Sequence, residues 1–233
     1  MLHSETAFRV LIEGKFTLKL SKCSFVQRQI EYLGHIVSGE GVQPIPDKVQ
    51  AVQQWLMSCT ARSLRGFLGL TGFYRRFIKG YVAMAAPFSN LLTKEGFAWS
   101  PEVAAAFQAL KDTVTNAPVL TLPDFSKPFV VETDASGSSM GAVLSQGGHP
   151  IAFFSKQFCP KIARSSAYVR ELAAMMNAVK KWRQYLLGHH FEILTDHQSL
   201  KELMTQEVQT PEQHRYLSRL LGFDYSIHYR REN

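Results

Sequence analysis

The chain has 233 residues, 45% of them hydrophobic and 19% charged, which supplies a packed core and excludes a disordered tail. No stretch approaches the roughly 18–20 apolar residues that span a bilayer, and the N-terminus lacks the basic start and apolar run of a signal peptide, so neither membrane insertion nor secretion is expected. Cys23, Cys59 and Cys159 lie far apart, which excludes a disulfide framework or zinc ribbon and suits a reducing compartment, while the net charge of +7 points to a polyanionic partner.

In chain order, the alternation in Phe16-Thr17-Leu18-Lys19-Leu20 predicts a half-buried strand, and Ile30 to Val37 a second, closed by Ser38-Gly39-Glu40-Gly41. Two strands cannot bury a core alone, so this block reads as the end of a larger sheet. Pro44 and Pro46 mark a boundary, with Asp47 as the N-cap of a helix running to Trp55. A second helix starts near Thr60 or Ser63, with Leu64, Phe67, Leu68, Thr71, Tyr74, Phe77 and Ile78 at helical spacing.

Arg62, Arg65, Arg75, Arg76 and Lys79 supply charge in that second helical stretch. Residues 44–96 hold seven basic against two acidic side chains, a balance of +5 that a phosphate-lined groove requires. A surface that is merely basic fits the same count. Gly66, Gly69 and Gly72 weaken a helix interior, so a neighbouring helix or a nucleic-acid strand is expected to approach them closely.

A helix over Val103–Thr115 precedes a segment punctuated by Pro118, Pro123, Asp124 and Pro128. The period then changes. Strands are expected over 129–134, 141–146 and 150–154, with Gly147-Gly148 as a hairpin turn, followed by a long helix from Ser165 to Leu187 that ends at Gly188. A strand over Phe191–Thr195, helices over Leu200–Met204 and Pro211–Leu221, and a fifth strand over Tyr225–Tyr229 complete a mixed domain. Trp99 and Trp182 are expected in the core, and His189-His190 in a surface turn.

Asp134 and Asp196 each fall at the end of a strand. If those strands are parallel neighbours, both carboxylates emerge at the sheet edge where open α/β folds place ligands. Glu171 borders the apolar face, Leu172, Met175, Met176 and Val179, of the helix between them, so it can point to the same edge. Three converging carboxylates repel unless a cation joins them, and hard oxygen ligands suit Mg²⁺ or Mn²⁺. Such ions activate water and stabilise a leaving oxygen in phosphodiester cleavage. The plainer alternative is a pair of turn aspartates and a glutamate complementing a helix dipole. Tyr168 is expected to pack, and His197 to make a structural hydrogen bond.

Asp134-Ala135-Ser136, the Glu171-Leu172-Ala173-Ala174 helix and Thr195-Asp196-His197-Gln198-Ser199-Leu200 resemble the ribonuclease H region of long-terminal-repeat retrotransposon polyproteins, the gypsy (Ty3-like) group above all. Lys22-Cys23-Ser24-Phe25 and Tyr32-Leu33-Gly34-His35 resemble the end of a reverse-transcriptase palm. Leu64 to Leu70 and Phe73 to Ile78 resemble its thumb. Pro118-Val119-Leu120, Pro123-Asp124-Phe125 and Trp182 to Gly188 extend the likeness through the linking segment and the nuclease helix.

The resemblance implies an α+β fold: a ribonuclease H-like mixed five-stranded sheet with helices, preceded by a palm-end hairpin and a small helical thumb. It divides the chain at 1–43 (palm end), 44–96 (thumb), 97–128 (connecting segment) and 129–233 (nuclease). It implies that Asp134, Glu171 and Asp196 hold Mg²⁺ or Mn²⁺ and hydrolyse RNA in an RNA–DNA hybrid gripped by Arg62, Arg65, Arg75, Arg76 and Lys79. The remaining palm, fingers and integrase of a polyprotein are the implied partners, inside the cell, in cytoplasm or nucleus.

The family's polymerase centre carries Tyr-x-Asp-Asp. The chain has no Asp-Asp pair, so polymerisation by this chain alone is not expected, and a fourth nuclease carboxylate would follow Asn233. An inactive hybrid-binding module is the competing expectation. A transposase or integrase core is disfavoured because its Glu usually comes last, whereas Glu171 precedes Asp196.

Overall fold

The computed structural model describes residues 2–57, 60–93, 97–197, 200 and 218–230. It begins with helix α1 (Leu2–Glu13), which carries no sequence cap and was not expected. The alternation at Phe16–Leu20 does not become a strand. Residues 16–19 are irregular, a 3₁₀ turn follows at Leu20–Lys22, and Phe16 and Leu18 are exposed because no neighbouring strand offers a ladder.

The single strand expected over 30–37 is two, β1 (Gln29–Tyr32) and β2 (His35–Ser38), which pair with β3 (Gly41–Pro44) in an antiparallel ribbon. Leu33 and Gly34 both have positive φ, which reverses the chain between β1 and β2. A Cβ at Gly34 would sit 2.7 Å from the Phe73 ring, so the turn and the close packing both require glycine.

In helix α2 (Pro46–Gln53) the N-cap position is Ile45, which makes no side-chain cap bond, rather than Asp47. Pro46 occupies the first turn, where its missing N–H costs nothing, and Asp47 lies inside that turn. Thr60 accepts from the Ser63 N–H to open α3 (Ala61–Phe73), and a 3₁₀ turn, Arg75–Phe77, follows. Helix α4 (Tyr81–Thr93) contains Pro87, a residue that removes a helix-interior backbone bond, but Phe88 and Leu91 are buried and hold the helix through it. Helix α5 (Pro101–Thr115) is capped by Ser100.

These helices share one core, running from Val52 through Phe67, Tyr74, Phe88 and Phe107 to Leu120, with Trp55 and Trp99 packed against it. The two helix glycines with close neighbours meet side chains of this core. A Cβ at Gly66 would lie 3.4 Å from Trp55, and one at Gly72 would lie 3.2 Å from the Tyr81 hydroxyl; around Gly69 the space is open.

The second core belongs to a five-stranded mixed sheet, β4 (Phe129–Ala135), β5 (Ser139–Gln146), β6 (His149–Gln157), β7 (His190–Thr195) and β8 (Asp224–Tyr229), in the order β6-β5-β4-β7-β8. β5 is antiparallel to β4 and β6, whereas β4, β7 and β8 run parallel. A short helix α6 (Pro160–Ala163) precedes the long expected helix, which is divided into α7 (Ala167–Lys181) and α8 (Arg183–Leu186). Trp182, at φ −105 and ψ 20, breaks α7 from α8 while its ring is buried. Leu172, Met175, Met176 and Val179 pack α7 onto Val131, Leu144 and Ile193 of the sheet.

His190 is the first residue of β7, not a turn, and its ring bonds Asp224 at 2.9 Å. The helix expected at Leu200–Met204, apart from Leu200, and Pro211–Leu217 of the last helix lie outside the described residues; 218–222 form a turn.

Candidate functional site

Strands β4 and β7 are parallel with Thr133 opposite Thr195, so the next residues, Asp134 near the end of β4 and Asp196 just past β7, lie side by side at one sheet edge. Both are exposed. Glu171 lies in the second turn of α7, where the apolar face that docks on the sheet also buries this carboxylate to 4% exposure. The three groups offer oxygens that all lie within 4.8 Å of one another.

Each oxygen of Glu171 has a different environment. Oε1 accepts the Ala135 N–H at 2.9 Å, which fixes the carboxylate against the end of β4. Oε2 is buried with no hydrogen-bond partner. Burial, and next the Asp196 carboxylate, push the Glu171 carboxyl up to about 8; the Ala135 N–H opposes this and Asp134 adds to it. A buried acceptor without a donor, facing two further carboxylates, is the surrounding a hard divalent cation satisfies, so this donor set fits Mg²⁺ or Mn²⁺.

His197 does not make the expected hydrogen bond through Nδ1, which is buried and unpartnered; its backbone N–H bonds Thr195 Oγ1 at 3.2 Å. The ring instead meets Tyr168 edge-on at 5.8 Å, so Tyr168 packs as expected.

A cleft of about 670 Å³ opens beside the carboxylates. Asp134 and Asp196 line it together with Glu132, Ser139, Lys79 and Arg230. The five basic residues singled out by charge are thus dispersed. Arg62 and Arg65 are exposed on α3, in one stripe with exposed Gly66, Gly69 and Phe73. Arg75 is exposed on the following turn, and Arg76 is half-buried with its guanidinium 5.9 Å from the Phe77 ring centroid. Lys79 alone of the five lines the cleft. Arg230 was not expected there; its position one residue past β8, a strand parallel to β7, was the available signal.

Residues 99–193 match the family model described as the RNase H-like domain found in reverse transcriptase. The chain is 39% identical over 227 residues to the retrovirus-related Pol polyprotein from transposon 297 of Drosophila melanogaster, across 97% of this chain and 21% of that protein. It is 36% identical over 212 residues to the corresponding polyprotein from transposon gypsy of the same organism, across 85% of this chain and 20% of the relative. The chain therefore spans about one-fifth of these relatives. Among solved structures, that of the foamy viral protease-reverse transcriptase in complex with RNA/DNA hybrid superimposes at a TM-score of 0.79 with 22% identity, over 98% of this chain and 33% of the other. This likeness extends the same α+β architecture across the chain. The chain is a relative of Ty3/gypsy-type retrotransposon polyproteins that carries the RNase H-like domain found in reverse transcriptase.

Proposed function

We propose that the chain hydrolyses the RNA strand of an RNA–DNA hybrid, as the nuclease part of a retrotransposon reverse transcriptase, with Mg²⁺ or Mn²⁺ held by Asp134, Glu171 and Asp196. The observation that carries this reading is the meeting of three carboxylates within 4.8 Å around a buried, unpartnered Glu171 oxygen. In the same reading, residues 1–43 end a palm, 44–96 form the thumb, 97–128 connect, and 129–233 are the nuclease. The rest of the polyprotein is the partner.

The divalent ion, when bound, supplies Lewis-acid activation of water and stabilises the leaving oxygen. The chain's own residues do the rest. The Ala135 N–H holds one Glu171 oxygen and so fixes the carboxylate beside the two aspartates. The parallel register of β4 and β7 keeps Asp134 and Asp196 adjacent. Arg62 and Arg65 meet phosphates along α3, where Gly69 leaves the backbone open to close approach by a strand.

The test is cleavage of a hybrid labelled on its RNA strand by the purified chain in Mg²⁺ or Mn²⁺. Cutting by the wild type, lost in Asp134→Asn, Glu171→Gln and Asp196→Asn, is expected. A second reading, a non-cleaving hybrid-binding module, draws on the α3 stripe, which works without the carboxylates. Salt-sensitive hybrid binding by a wild type that leaves the RNA intact would favour it.

A further inference from the structure

Lys79 and Arg230 are far apart in the chain, yet among the described residues they are the basic side chains lining the cleft beside Asp134 and Asp196. Lys79 follows the Arg75–Phe77 turn, and the Val82 N–H just beyond donates to Ser155 Oγ at 3.1 Å, which fixes this end of the helical region against β6. Arg230 is held at the other side. Its N–H donates to the Thr195 carbonyl at 2.9 Å, and its guanidinium reaches Glu132 at 3.3 Å.

In the order β6-β5-β4-β7-β8, Lys79 therefore stands on the β6 side, while Arg230, anchored past β8, reaches back over β7 to Glu132 on β4, the strand that carries Asp134. Two strand spacings, from β6 to β4, amount to about 10 Å. A duplex advances about 3.4 Å per nucleotide along each strand, so two cations this far apart meet different phosphates.

Electrostatics supplies the need for them. A cluster of carboxylates repels a polyanion, and metal charge offsets that repulsion only at the phosphate it touches. Phosphates one step away remain within the roughly 8 Å over which charges are felt at physiological salt. Lys79 is exposed and makes no ion pair among the described residues. The Arg230–Glu132 pair is largely exposed and leaves the guanidinium with donors to share.

We propose that Lys79 and Arg230 form a split phosphate clamp, each neutralising a backbone phosphate that flanks the phosphodiester presented to Asp134, Glu171 and Asp196. The proposal rests on the hydrolytic reading above and deepens it. Both are positioning residues, and a lysine from the helical region becomes part of the nuclease cleft.

The experiment measures binding of a fluorescent RNA–DNA hybrid to the full chain in EDTA across a salt series, for wild type, Lys79→Gln, Arg230→Gln and the double variant. Each single substitution is expected to reduce the slope of log affinity against log salt by about 0.7–0.9, and the double variant by about twice that. Lys79→Arg and Arg230→Lys should retain the slope. In Mn²⁺ the neutral variants should raise KM for hybrid cleavage with kcat near wild type. Unchanged slopes in Lys79→Gln and Arg230→Gln, with a lowered slope in Arg62→Gln or Arg65→Gln, would overturn the clamp and leave the two cations as screens for the carboxylates. A wild type that binds the hybrid but never cuts it counts against hydrolysis alone, and the salt slopes still decide the clamp.

Discussion

Glu171 shows how one side chain couples the stability of this fold to its chemistry. Its carboxyl is pushed up to about 8 by burial and by Asp196, whereas the unfolded chain titrates near 4.5. Between these values the folded metal-free chain keeps a proton that the unfolded chain has released. Stability from this group is thus fully present below about pH 4.5, falls as pH rises, and is lost above about 8. Glu171→Gln keeps the acceptor for the Ala135 N–H but cannot ionise. In EDTA the variant should melt above the wild type at pH 8 and near it at pH 5, by roughly 2–4 °C for each kcal/mol relieved. Adding Mn²⁺ at pH 8 should raise the wild-type midpoint more than the variant's, since a ligand binding only the folded state stabilises it. Melting curves that stay parallel from pH 5 to 9 would refute the buried, repelled carboxylate.

At the scale of elements, the attachment of the β1–β3 ribbon to α3 depends on His35. Its ring stacks on Phe73 at 5.1 Å and meets Tyr74 and Phe77, while the Tyr74 hydroxyl donates to the Gly34 carbonyl. Burial first, and then the Arg76 charge, lower the His35 pKa from its ordinary 6.5. The folded ribbon therefore holds a neutral imidazole. Its contribution is complete above about pH 6.5 and declines as pH falls below that, because the unfolded chain takes up the proton first. Amide hydrogen exchange in β2 should accelerate, relative to the sheet core, as pH falls below 6.5, once the intrinsic pH dependence is divided out. His35→Phe should abolish that acceleration, and its persistence in the variant would exclude His35 as the cause.

The ribbon also marks where the sequence stops being legible. Strands β4 to β8 and helices α3, α5 and α7 follow apolar periodicity, and Thr60, Ser100 and Ser166 announce their helices through side-chain caps. The turn at Leu33-Gly34, the helical path through Pro87 and the break at Trp182 depend on packing partners distant in the chain, which a local period cannot encode. Phe16–Leu20 has the right alternation but pairs with no strand among the described residues. The carboxylates were legible because each sits at a strand end or on a helix flank; Arg230 was not, because its value comes only from the parallel pairing of β7 and β8.

Over the whole molecule, two cores are stitched together by few contacts. The Thr121 N–H donates to the Pro150 carbonyl at 2.8 Å, and the Val82 N–H to Ser155 Oγ at 3.1 Å. Strand β6 joins both sides. Ile151 and Ala152 lie in the sheet core, while Phe153 packs on the helical core. That ring is the principal apolar contribution of the five-stranded sheet to the helical core, so Phe153→Ala should weaken the helical core by about 1–3 kcal/mol, less than a fully buried phenylalanine would cost. Tryptophan placement lets the cores be watched separately, since Trp55 and Trp99 pack on the helical core and Trp182 lies in the sheet core. In denaturant, chains retaining either set should report coincident transitions for the wild-type Phe153. In Phe153→Ala the Trp55 and Trp99 signal should move to lower denaturant while the Trp182 midpoint stays nearly fixed. A common shift of both signals would mean that the cores unfold as one cooperative unit even without this ring, with the Thr121–Pro150 and Val82–Ser155 hydrogen bonds carrying the coupling.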